Sequence, residues 1–234
     1  MARKPSRSKA AKPSAIRTKT PGSDRERIIK ACMKLLAVKP FEQIGFAEIA
    51  ARSGVSLARL RDEFDSTLAI IAAQMKETDR LVLEGGDSDM AGETPRDRLF
   101  DVLMRRLEAL VPHKTALRSL MRSAMCNPGL ALALNRLSVR SQRWMLTAAD
   151  ISASGPKGAM RAQGLALIFA RVLRVWLNDN DPGHARSMAE LDRALTRGQS
   201  WSRLLDDVCA VIPSPRRSRR RRSSADDADE AAAA

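Results

Sequence analysis

Tyrosine is absent from the 234 residues, and only three tryptophans and five phenylalanines are present. That excludes a protein built around aromatic platforms for stacking single-stranded bases. Histidine is also scarce. His113 and His184 are the only two, both in proline-bearing turns, with no nucleophile–base or metal-ligand spacing around them. "EGGDSD" lacks the ligand positions of a calcium loop, and "GGDSDMAG" is not a phosphate-binding turn. The expectation is a protein that is not an enzyme and holds no cofactor or metal. Cys32, Cys126 and Cys209 are odd in number and show no C-x-x-C spacing, so a disulfide framework is not expected. They read as small core residues in a reducing cytoplasm. No apolar run nears the roughly 20 residues of a bilayer-spanning helix, so no transmembrane segment and a cytoplasmic location are expected.

What is abundant is positive charge, +14 in formal net terms. Residues 1–22 contain seven Lys/Arg and no acid, and Arg216, Arg217 and Arg219 to Arg222 add six more. Asp226, Asp227, Asp229 and Glu230 follow. The stretch between the two tails is only mildly cationic. Tails of this kind suit a polyanion, because each phosphate they neutralise releases a counterion. They suit equally a solvated, solubilising role. Pro5 and Pro13 interrupt the first segment, and Ile16 is its only large apolar residue after Met1. Neither a transit helix nor a secretory core can form there, and a disordered basic arm is expected over 1–22.

Order should begin at Ser23, which forms a capping box with Glu26 ahead of Ile28, Cys32, Leu35 and Leu36 on one helical face. Pro40 ends that helix near Val38. A short helix over about 46–53 presents Phe46, Ile49 and Ala50 inward, and Gly54 supplies a left-handed stop. Ser56 caps a helix over 57–63, which points Leu60 and Phe64 at the core. Asp65 or Ser66 caps a longer helix over about 67–83. Further helices are expected at 95–110, 114–125, 129–150, 157–178 and 187–211, with "EGGDSDMAGET" as a loop. No hairpin signal occurs. The fold class is all-α: an N-terminal helix-turn-helix module over 23–84, a larger helical domain over 95–212, and a tail over 213–234.

Residues 25–71, "RERIIKACMKLLAVKPFEQIGFAEIAARSGVSLARLRDEFDSTLAII", resemble the DNA-binding module of the TetR family of one-component regulators. "EIAARSGVS", Leu60, Phe64 and Ser66 match the family pattern in spacing, turn and core positions. The resemblance implies a homodimer on a double-stranded DNA operator, with Ser56, Leu57, Ala58, Arg59, Arg61, Asp62 and Thr67 at the duplex. The surface departs from the family. A hydroxyl residue, a tyrosine, a histidine or tyrosine, and a lysine are usual where this chain has Arg59, Arg61, Glu63 and Thr67. Glu63 is repelled by phosphate and Thr67 carries no charge. Arg61 can replace the tyrosine and Arg59 can reach a base edge, ideally guanine, while Asp62 and Asp65 oppose the field. A second stretch, "WLNDNDPGHARSMAELDRALTRG" over 176–198, resembles the C-terminal part of some TetR-like proteins. More loosely, it is similar to TetR-fold proteins that bind isoprenoid lipids and no longer read DNA.

Leu165, Ile168, Phe169, Val172, Leu173 and Trp176 form a wide apolar stripe on one helix, with Trp144, Met145 and Met160 nearby in the pattern. Such a stripe serves as core and dimer interface, or lines an apolar cavity. Met145, Trp144, Phe169, Leu173 and Trp176 are the candidate ligand residues, and 157–178 with 187–211 the candidate four-helix dimer interface. The expected function is a TetR-type regulator, a repressor, controlled by a small apolar ligand. The alternative is a lipid- or isoprenoid-binding accessory protein on the same scaffold.

Overall fold

A computed structural model describes residues 22–86, 92–181 and 183–210, with side chains up to residue 198. The basic arm before residue 22, most of the loop after Gly86, the tail over 213–234 and the Cys209 side chain lie outside the described residues. Among the described residues the chain is all-helical, without strands. The α-helices are α1 (Asp24–Leu36), α2 (Phe46–Ser53), α3 (Leu57–Glu63), α4 (Thr67–Glu84), α5 (Pro95–Leu110), α6 (Lys114–Cys126), α7 (Pro128–Ala148), α8 (Gly155–Leu177) and α9 (Ala185–Ala210).

Local chemistry sets most of the boundaries. Ser23 Oγ accepts from the Glu26 amide at 3.2 Å, and Ser56 Oγ from the Arg59 amide at 3.3 Å. Ser66 Oγ accepts from the Ala69 amide at 3.0 Å, which decides the Asp65-or-Ser66 alternative for α4. Each bond satisfies an amide that the first helical turn leaves without a partner. Gly54 ends α2 at φ 67°, a conformation that a side chain would strain.

Two clusters make the core. The head cluster is built on Ile28, Cys32, Leu36, Ile49, Leu60 and Phe64, and it also takes in Ala116 and Leu120 of α6 and Leu130 of α7. The body cluster gathers Leu103, Leu107, Met145, Phe169, Val172 and Trp176. The strut between them is α4, with Ile70 and Ile71 in the first cluster and Val82 in the second. Polar ties add to the join: the Phe41 amide donates to Ser123 Oγ at 3.1 Å, and Ser119 Oγ donates to the Lys39 carbonyl at 2.9 Å.

Two expected core positions differ. Phe46 is 40% exposed, whereas Ile49 and Ala50 are buried as expected. A helical side chain leans over the turn preceding its own Cα, and Phe46, first in α2, has only Gly45 before it. Cys126 is exposed at the α6–α7 corner, beside exposed Met125, while Cys32 is fully buried. Burial pushes the Cys32 thiol up to about 12, so it stays protonated and inert.

Candidate functional site

The helix α3 is seven residues long and held from beneath by one side chain, Leu60, at 2% exposure. Phe64, just past its end, packs into the same core, and the Arg25 guanidinium lies 4.5 Å from the centre of the Phe64 ring. Those anchors turn the other face outward. Ser56, Leu57, Ala58, Arg59, Arg61 and Asp62 are all exposed, and Thr67 at the start of α4 is half-buried. The seven residues singled out in the sequence therefore share one end of the head.

The charges on this surface are paired off. Arg59 Nε lies 3.4 Å from Asp24, and its Nη1 lies 3.7 Å from Asp62. Arg61 pairs with Asp65, and Glu63 accepts from Arg25 at 3.3 Å. Asp24 also accepts from Arg27 at 2.5 Å. Arg27 chiefly, with Arg59 behind it, holds the Asp24 carboxyl below its usual value against a smaller opposing effect of burial. The partnership of Glu63 with Arg25, 38 residues apart, left no trace in the sequence. Exposed pairs of this kind are worth about 0–1 kcal/mol each. A phosphate can displace them at small cost, but it must displace them.

A second feature lies in the body. A cavity of about 310 Å3 is bounded by α1, α4, α5, α6, α7 and α8, and Met33, Met75, Leu117, Met121, Phe169 and Leu173 are among its walls. Leu167, Ala170 and Ala131 border it and are exposed, so it opens to the surface between α7 and α8. At its wall Arg106 is 3% exposed, donating from Nη1 to Asp79 of α4, while Asp79 also accepts from Ser141 Oγ at 2.7 Å. The network thus ties α4, α5 and α7 together. His113, in the expected proline-bearing turn, which is a 3-10 turn, lies at the cavity wall, and burial lowers its pKa. A cleft of about 700 Å3 elsewhere, between α5, α7, α8 and α9, includes Met160 and Ile168.

No protein-family model matches the chain, and no curated protein matches it. Solved structures do. A TetR transcriptional regulator from Nitrosomonas europaea ATCC 19718 superposes with a TM-score of 0.59 at 21% identity, over 76% of this chain and 98% of that one. Another, from Rhodococcus sp. RHA1, gives 0.52 at 21% identity, over 75% of this chain and 95% of that one. The chain has the TetR fold. At such identity the likeness resides in the helix arrangement, so residue roles must be argued from this chain's own geometry.

Within this TetR fold the candidate ligand residues divide. Phe169 and Leu173 line the cavity. Met145 and Trp176 are fully buried in the body cluster and are not among the residues that line it. Trp144, one position before Met145 on α7, is 56% exposed, because successive helical side chains point about 100° apart. The polar wall of Arg106 and His113 was not foreseen. One arginine of the adjacent pair Arg105 and Arg106, on a helix rich in charge, gives no sign of facing a cavity.

Proposed function

We propose that the chain is a DNA-binding transcriptional regulator that acts as a homodimer on a pseudo-palindromic operator, controlled by a small apolar ligand in the body cavity. The observation carrying this reading is α3: a short helix after a left-handed glycine turn, buried through Leu60 and offering Leu57, Ala58, Arg59 and Arg61 to the outside. A recognition helix enters the major groove this way, and a dimer sets two of them about 34–36 Å apart. Arg59 serves a base edge, Arg61, Ser56 and Thr67 the backbone, and the basic tails add affinity without sequence preference. Exposed Met160 on α8 and Met188 on α9 support the dimer face. A ligand would act by binding one setting of α4 better than another, which changes the spacing of the two heads. Repression from the cytoplasm completes the reading.

The test is a mobility-shift titration on the DNA flanking the gene, against a scrambled duplex, across salt. Sequence-selective retention is expected. Arg59→Ala should relax base preference, whereas Arg61→Ala should weaken all sites alike. A second reading, an apolar-ligand carrier whose head no longer reads DNA, is favoured by the complete pairing of Arg59 and Arg61 with carboxylates. Equal binding to both duplexes that vanishes by physiological salt would establish it instead.

A further inference from the structure

Among the described residues, the only formal charge on the side chains lining the α4–α8 cavity is Arg106, apart from the titratable His113. Burial holds the His113 pKa down, so this ring adds no charge at neutral pH. The Arg106 guanidinium is buried and its charge is already matched by Asp79, which in turn is held by Ser141. Its Cζ lies over the Phe169 ring, 5.2 Å from the ring centre. Its Nε is buried without an acceptor among the described residues. Two other polar groups on the wall are occupied: Thr78 Oγ1 donates to the Gln74 carbonyl at 3.1 Å, and the Asn135 and Gln163 amides bond each other at 3.1 Å in both directions.

We propose that this cavity binds a neutral apolar molecule carrying one hydrogen-bond acceptor, such as a ketone or ester carbonyl, set against the Arg106 guanidinium. The proposal rests on the cavity being the regulatory site of the reading above and specifies what that site selects. A cation meets no carboxylate on the wall and would sit there uncompensated. An anion fares no better, because Asp79 already cancels the charge of Arg106, and a second carboxylate would sit uncompensated among methionines and leucines. A neutral acceptor satisfies a buried donor without adding charge. At about 310 Å3 the cavity is at the small end of ligand sites. Because Asp79 lies on α4, an acceptor that draws on Arg106 also alters how the strut between head and body is held.

The full chain is titrated by calorimetry with decan-2-one, decanoate and decylammonium, with displacement of Nile red as a second readout. Decan-2-one should bind at least about ten-fold more tightly than either charged analogue, the scale of one hydrogen bond to a charged donor. Arg106→Met combined with Asp79→Leu removes the pair together, leaves no buried charge, and should abolish that preference. Ala170→Trp, at the exposed mouth, should block all three probes. Decanoate binding as tightly as the ketone, a preference that survives the double substitution, or binding that survives Ala170→Trp would each overturn the proposal. If no probe binds while DNA selectivity is intact, the ligand chemistry falls and the DNA reading stands. Ketone binding without DNA selectivity supports the ligand chemistry and removes the regulator.

Discussion

Residues 23–84 contain ten Lys/Arg and ten Asp/Glu, whereas residues 95–198 contain seventeen against eight. The part that would meet DNA is neutral overall, and the part that would not is strongly basic. Between Glu108 and Asp150 there are six cations and no acid, and Arg136, Arg140 and Arg143 are exposed on α7. The two regions also differ in how they use charge. In the head the pairs around α3 are at the surface, with Arg61 and Asp65 at 72% and 86% side-chain exposure. In the body Arg106 and Asp79 are buried. The head's pairs are exchangeable, and the body's pair is structural. If α3 meets DNA as proposed, net charge says little about where a polyanion binds. What matters is which cations can be released at small cost.

The body pair should break most expensively. Asp79→Ala leaves the Arg106 charge buried and alone, and urea unfolding should show a loss of about 3–5 kcal/mol. Leu60→Ala removes the side chain that seats α3, at about 2–5 kcal/mol. Hydrogen exchange should then rise in α2 and α3 well before α8, which checks whether head and body are separable units.

Acidification should sharpen the contrast at a smaller scale. The folded-state pKa of His113 lies below its ordinary 6.5 because burial disfavours the charged ring. Its contribution to stability is present above that value and is lost as pH falls below it. The melting temperature should drop between pH 7 and 5, and His113→Asn should flatten that drop. Asp179, held below its ordinary 3.8 chiefly by the Ser187 hydroxyl, acts with the same sign at lower pH.

The smallest stability effect is expected in the head. Asp62→Asn with Glu63→Gln should change unfolding by under about 1 kcal/mol, since both acids are in surface pairs. The same change should strengthen DNA binding and steepen its salt dependence by about one to two phosphate contacts, read from the slope of log K against log salt. An unchanged slope would mean that α3 does not face the duplex.

Much of the helical layout was legible in advance. Ser23, Gly54, Ser56 and Ser66 act within a few residues of themselves, so their positions marked where α1, α3 and α4 begin and where α2 ends. The apolar spacing of Leu60 and Phe64 identified the buried side of α3 for the same reason. The candidate sites were only partly legible. Phe169 and Leu173 line the cavity, but Met145 and Trp176, from the same stripe, are closed off in the core. Periodicity assigns residues to a face without saying whether a neighbour or a void lies opposite.

Helix order, the turn before α3 and the outward residues of α3 were settled by the chain's own local pattern, because caps and helical spacing act over three or four residues. The pairing of Arg59 with Asp24, of Glu63 with Arg25 and of Arg106 with Asp79 joins residues 35, 38 and 27 apart. Those partnerships, and the void beside Arg106, exist only once helices distant in sequence have packed, since Coulomb attraction and burial depend on distance in space rather than along the chain.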